Sequence, residues 1–261
     1  MKTKESLLLF AAALAAVAAW GQTPDAETLI RESDERTKSV TERTTYDMEL
    51  IDAAGKVEQT RRIDLFFKRL PDREVTLQKF LSPPVLEDTG MMIVDSGEAT
   101  NDIWMYLPAT RRLRRISGAE KSNWYMGTQF TYEDFEDYQV DAYDFTLRGK
   151  EACGEGARCW VVEAVPATEA EQKASGYTGK VYWLEEESLY PVRVDYLGGD
   201  GREVKRYTVS GLVKVGEYHR PREGVMEDLT NGRRTRLVVH ERQLDEPLED
   251  YYLSKRYLRE D

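Results

Sequence analysis

Two histidines, two cysteines, two acidic doublets and one run of arginines are the side chains of this 261-residue sequence whose types and spacing bear on chemistry. The doublets Glu133-Asp134 and Glu136-Asp137 have the makings of a glycosidase carboxylate pair, but they flank a capped helix start, where acids serve the first turn and its solvated face. Neither His219 nor His240 stands near a nucleophile motif such as G-x-S-x-G, and His240, after Val238-Val239, reads as a strand histidine. There is no phosphate loop, dinucleotide fingerprint or carboxylate loop for a metal. No catalytic residue, metal or cofactor is assigned, and the chain is expected not to be an enzyme.

Cys153 and Cys159 flank Gly154-Glu155-Gly156-Ala157-Arg158, whose glycines mark a tight turn. A zinc site needs four ligands, and neither histidine has ligand spacing, so a disulfide stapling a hairpin is expected. That implies an oxidising compartment, as does the N-terminus. Lys2 and Lys4, the apolar run Leu7 to Ala19 and the small residues after it have the order of a secretory signal peptide. The run is too short to span a bilayer, which takes about 20 apolar residues. Residues 1–21 are read as a signal peptide and 22–261 as one domain working in the periplasm. Cleavage after Ala18 and after Gly21 both fit.

Arg111-Arg112-Leu113-Arg114-Arg115 is the one concentrated basic run in a chain of net charge −11, a balance that excludes a general nucleic-acid binder. In a strand, Arg111 and Arg115 face one way and Arg112 and Arg114 the other. Rim arginines of this kind either hold a lid closed through carboxylates and carbonyls, receive a ligand's phosphate or acyl carbonyl, or protect an edge strand from aggregation.

The elements that position these groups follow from periodicity. Thr23-Pro24-Asp25 reads as N-cap and first turn of a helix whose apolar stripe runs from Ala26 to Val40. The period then changes to two, and alternating segments recur from Tyr46 to Leu258, separated by turn signals such as Asn231-Gly232. About eleven antiparallel strands are predicted, the last at Tyr251 to Leu258, in a mostly β fold. The exception is residues 118–137, where Phe130, Thr131, Asp134 and Phe135 fit a hydrophobic staple and capping box and predict a short helix from Thr131. Two helical segments are too little to fill the concave side of so broad a sheet, so a cavity is expected. Its predicted lining is Met91, Met92, Trp104, Tyr106, Trp124, Tyr125, Phe130 and Phe135.

The order Trp104-Met105-Tyr106-Leu107-Pro108, Arg111 to Ile116, then Met126-Gly127-Thr128-Gln129-Phe130-Thr131-Tyr132-Glu133-Asp134-Phe135, resembles the outer membrane lipoprotein-sorting protein family, related to the periplasmic lipoprotein carrier of the Lol system. Thr76-Leu77-Gln78-Lys79-Phe80 and Asp88-Thr89-Gly90-Met91-Met92 fit the same pattern, while Trp124-Tyr125 stands where relatives often carry Ser-Phe-like residues. The resemblance implies a strongly curved, incomplete β-barrel with a helical lid over a hydrophobic cavity that takes acyl chains. It also implies a hand-off partner, an inner-membrane transporter of the resistance-nodulation-division class. The expectation is a monomeric periplasmic carrier of a lipid, acylated lipoprotein or other apolar ligand. The alternatives are an envelope sensor or adaptor that binds a protein through the same fold and, last, a hydrolase using the paired carboxylates.

Overall fold

The computed structural model describes residues 24–97, 101–136, 140–154 and 156–260. The expected signal peptide lies outside them. Helix α1 (Ala26–Thr37) starts two residues later than Thr23 would place it: Asp25 is the cap, its carboxylate accepting from the Thr28 amide at 3.1 Å. Its face of Ala26, Leu29, Ile30 and Ser33 is buried, and Val40 lies beyond its end, exposed.

The period-two segments become β1 (Thr41–Ile51), β2 (Val57–Arg69), β3 (Glu74–Ser82), β4 (Gly90–Asp95), β5 (Asp102–Leu107), β6 (Arg112–Ile116), β7 (Tyr143–Ala152), β8 (Arg158–Pro166), β9 (Gly179–Glu185), β10 (Pro191–Leu197), β11 (Glu203–Ser210), β12 (Val213–Val215), β13 (Tyr218–Arg220), β14 (Glu223–Asp228) and β15 (Arg234–Leu244), with a second helix, α2 (Glu169–Ser175), between β8 and β9. Thirteen of them form one antiparallel sheet in the order β6-β5-β4-β3-β2-β1-β15-β14-β11-β10-β9-β8-β7, while β12 and β13 pair separately. The sheet is broader than the eleven strands predicted, and its edges β6 and β7 are not paired to each other, so it is an incomplete barrel. Residues 117–142 join one edge to the other, and of these 117–136 lie across the open side of the curl.

Alternation sorts the side chains onto two faces. The concave face gathers Tyr46, Met48, Ile63, Phe80, Met91, Ile93, Ile103 and Met105 with the apolar stripe of α1. The convex face holds Phe66, Val75, Leu77, Met92 and Tyr106 under Leu253 and Leu258. The predicted last strand is instead a 3-10 turn, Asp250–Leu253, and a helical turn, α3 (Lys255–Leu258), capped by Ser254, whose hydroxyl accepts from the Tyr257 amide at 3.1 Å. Apolar residues four to five apart close a convex patch better as a helical clasp than as a strand: Tyr252 stacks on Phe66 at 4.9 Å, and Lys255 lies 3.3 Å from the Trp104 ring. Cys153 and Cys159 form the expected disulfide, Cα atoms 5.8 Å apart, across the β7–β8 hairpin.

Candidate functional site

The link from β6 to β7 is the centre of the molecule. Met126 and Gly127 both take positive φ, 50° and 76°, the backbone of a tight hairpin turn that a glycine at the second position eases. Thr128 donates its amide to the Tyr125 carbonyl at 2.9 Å, Tyr125 donates to the Phe130 carbonyl at 2.7 Å, and Trp124 bridges to Thr131. The result is a miniature hairpin, residues 124–131, inserted over the concave face as a plug. The predicted helix after Thr131 is a single 3-10 turn, Glu133–Phe135. The reciprocal cap is half made: Asp134 accepts from the Thr131 amide at 2.6 Å, but its carboxylate also answers a lysine across the barrel, which stops the helix propagating.

The plug fills one half of the curl with aromatic rings. Tyr125 is fully buried, stacked on Phe80 at 6.2 Å and edge-on to Tyr132 and Phe135 at 5.6 and 4.9 Å. Phe130 meets Phe135 at 5.3 Å and Tyr207 of β11 at 5.9 Å. Polar bonds then fasten it to strands on opposite walls. Arg61 of β2 donates to the Met126 carbonyl at 2.8 Å, and Thr235 of β15 accepts from the Gln129 amide at 3.0 Å and donates to its side chain at 2.8 Å. Lys180 of β9 meets Glu133 at 2.6 Å, and Lys205 of β11 meets Asp134, both partners of the latter pair essentially without solvent exposure. Within the link itself Lys121 pairs with Glu136 at 2.6 Å.

These pairs are electrostatically distinct. Burial works against the Lys180 ammonium, yet Glu133 and the hydroxyls of Tyr143, Tyr182 and Tyr196 hold its pKa well above the ordinary lysine value. At Lys205 burial prevails over Asp134 and the pKa falls below the ordinary value. Burial likewise pushes the Glu136 carboxyl up. Glu133, Asp134 and Glu136 are thus each committed to an ammonium, an arrangement that anchors a segment rather than one that leaves a carboxylate facing a scissile bond. Asp137 lies outside the described residues.

The other half of the curl is hollow. A cavity of about 410 Å³ lies between the plug and strands β9 to β11, reaching from α2 to the C-terminal end of α1. Tyr143, Tyr182, Tyr190, Tyr196 and Tyr207 line it together with Lys121, Lys180, Arg220, Arg242 and several acids. The wall is therefore amphipathic, not the purely hydrophobic one expected, because inward positions of β9 to β11 carry Lys180, Tyr182, Val194, Tyr196, Lys205 and Tyr207.

None of the eight residues predicted to line the cavity does so in this arrangement. Met91, Tyr125, Phe130 and Phe135 come together in the packed half, as the plug and the concave floor beneath it. Met92, Trp104 and Tyr106 are on the convex face, since Met92 follows Met91 in a strand and pairs with Trp104 across β4 and β5. Trp124 is about half exposed, 5.7 Å from Lys205.

The arginine run divides in the same way. Arg111 is not in the strand: it turns the corner after a 3-10 turn with φ of 51°. Arg112 is exposed; Arg115 pairs with Asp102 on the edge; Arg114 pairs with Glu120, tying β6 to the start of the link. Glu120 accepts first from the Ser117 amide and hydroxyl and then from Arg114, and these hold its carboxyl below the usual range. His240 sits on the sheet exterior, its ring 2.8 Å from Asp47. Among the described residues no cluster of three or more His, Cys, Asp or Glu is placed to hold a metal.

The anchoring residues Arg61, Lys180 and Lys205 carry a signal in the sequence: each is a cation inside an alternating apolar segment, at the parity of an inward neighbour, Ile63, Tyr182 and Tyr207 respectively.

A family described only as an uncharacterized protein matches residues 72–260. No curated protein matches the chain. Among solved structures, a putative outer membrane lipoprotein-sorting protein domain from Vibrio parahaemolyticus superposes with a TM-score of 0.82 at 26% identity, over 90% of this chain and 98% of that one. A DUF1329 family protein from Desulfovibrio piger gives 0.81 at 26% identity, over 89% and 97%. A LolA superfamily protein from Nitrosomonas europaea shares the fold, with a TM-score of 0.67 at 18% identity over 90% and 100%.

Proposed function

We propose that this chain, which belongs to the family matched over residues 72–260 and is similar in structure to an outer membrane lipoprotein-sorting protein domain, is a non-enzymatic periplasmic carrier that takes up a lipid, acylated lipoprotein or other apolar ligand and passes it between envelope components. Export relies on residues 1–21 as a signal peptide, and the hand-off partner is an inner-membrane transporter of the resistance-nodulation-division class.

One observation carries the reading. The apolar floor of the curl, Tyr46, Ile63, Phe80, Met91, Ile103 and Met105, is covered by the hairpin 124–131 and not by a strand of the sheet, and discrete side-chain bonds hold that hairpin. A cover of this construction can leave without unravelling the sheet beneath it, exposing an apolar trough continuous with the cavity. An acyl chain entering the trough gains about 0.8 kcal/mol per methylene, so ~15 methylenes supply roughly 12 kcal/mol gross against re-exposing the plug's rings and parting its ion pairs. Cargo binds the open form alone, and that difference does the gating.

Native mass spectrometry of the protein purified gently from its own envelope tests this. A mass increment corresponding to a bound lipid is expected. Protein that carries none, and takes up none from added acyl chains, defeats the carrier assignment.

A further inference from the structure

Two arginines share one acid at the end of the cavity nearest α1. Arg242 of β15 and Arg220 of β13 both direct Nε at Glu42 of β1, at 3.1 and 3.4 Å. Arg242 donates further to the Pro221 carbonyl at 2.9 Å and to the Thr44 hydroxyl at 3.3 Å, and Arg220 to the His219 carbonyl at 3.2 Å. The side chains of Arg220, Arg242 and Glu42 are only 7, 14 and 15% exposed. Nη2 of each guanidinium makes no hydrogen bond within the protein among the described residues. Other acids at this end have partners of their own: Asp34 pairs with Lys38 at 2.9 Å, and Asp245 accepts from the Val40 amide at 2.7 Å and the Tyr218 hydroxyl at 2.8 Å. Asp245 also acts on Arg220, so two carboxylates balance the two guanidiniums; what the arginines offer the hollow is hydrogen-bonding edges that no described group of the protein takes, and the oxygens of an anion would take them.

Next to this pair the wall turns aromatic and apolar. Tyr207, Val194 and Tyr196 follow along the cavity, and Gly224 of β14 lies directly under the Tyr207 hydroxyl, where any side chain would push the ring out of place. Beyond them the Lys180–Glu133 pair closes the far end.

We propose that this cavity binds a single-chain anionic amphiphile, its carboxylate or phosphate on the free edges of Arg220 and Arg242 and its chain along Tyr207, Val194 and Tyr196. The inference rests on the carrier reading and sharpens it. About 410 Å³ lies near the low end of small-ligand sites, roughly 300–1,000 Å³, room for one medium chain with the plug in place. Bulkier acylated cargo needs the plug to move.

Calorimetric titration of the purified protein with laurate, dodecyl phosphate, dodecanol and inorganic phosphate tests it. Both anionic amphiphiles are expected to bind at least tenfold tighter than dodecanol, about 1.4 kcal/mol. Arg242→Gln lowers that ratio below threefold, and Glu42→Gln, which removes the competing acid, raises it. Tighter binding of laurate assigns a fatty acid, and of dodecyl phosphate a phosphorylated lipid; either supports the site. Equal binding of dodecanol and both anions overturns the headgroup assignment while leaving the carrier reading intact. Inorganic phosphate that displaces dodecyl phosphate at equal concentration overturns the amphiphile. No binding by any of the three chains overturns the site, while the carrier reading then stands or falls on the native mass spectrometry.

Discussion

Asp134→Ala is expected to cost about 3–5 kcal/mol of the free energy that holds residues 117–136 on the sheet, because it strands the Lys205 ammonium in a place with essentially no solvent. The rings around Lys205, Tyr196 at 4.3 Å and Tyr177 at 4.7 Å, soften the loss without supplying a counter-charge. Replacing both partners by apolar residues, Lys205→Met with Asp134→Leu, removes the desolvation cost along with the attraction, so the double variant should be within about 1 kcal/mol of wild type or more stable. Urea unfolding of the two single variants and the double one checks this. In a carrier gated by this segment, Asp134→Ala should also bind an acyl probe at least tenfold tighter, because part of the work of opening has been done in advance. Weaker probe binding in a folded Asp134→Ala protein would mean that the segment builds the ligand site and does not cover it.

Tyr125 offers a matched pair of substitutions. Tyr125→Ala removes a fully buried ring stacked on Phe80 and wedged against Tyr132 and Phe135, and is expected to cost about 3–5 kcal/mol. Among the described residues the Tyr125 hydroxyl makes no hydrogen bond of full geometry, with Gln78 and Arg61 as its polar neighbours, and burial raises its pKa well above the ordinary value, so Tyr125→Phe should be within about 1 kcal/mol of wild type. Thermal unfolding of both distinguishes a role in packing from one in polar recognition. If Tyr125→Phe loses as much as Tyr125→Ala, the hydroxyl has a partner that this arrangement does not display.

Much of the architecture was legible because period-two alternation is a strong signal over strands as long as β1, β2 and β15. The hairpin at Cys153 and Cys159 was equally plain, since glycines and a short spacing leave two cysteines little else to do. Alternation fixes which residues share a face, but it does not say which face is inside, and aromatic content alone did not sort Met91 from Met92 or keep Trp104 and Tyr106 out of the cavity list. The C-terminal Tyr251–Leu258 segment misled for a related reason: an apolar clasp on the convex face is as rich in aromatics as a strand, and only the Ser254 cap marked it as helical. A helical lid is implied by the family resemblance, whereas Trp124, Tyr125, Phe130 and Phe135, expected as cavity lining, belong to the hairpin 124–131 and the turn after it. The hairpin's anchors were not legible, because the partners of Glu133 and Asp134 lie 47 and 71 residues away, on strands whose register had to be known first. The cavity was expected but its polar lining was not, for the same reason, since Arg220, Arg242 and Glu42 meet only when β1, β13 and β15 are brought together.

In the proposed carrier, residues 117–136 cover an apolar trough that cargo uncovers. Hydrogen exchange read by mass spectrometry, with and without a long-chain acylated peptide at saturating concentration, addresses this directly. The amides of Tyr125, Thr128 and Tyr132, bonded within the hairpin and its link, should lose protection when the peptide binds, while those of β1, β2 and β15 keep theirs. Saturable binding that leaves protection of the hairpin unchanged, or strengthens it, would contradict the account.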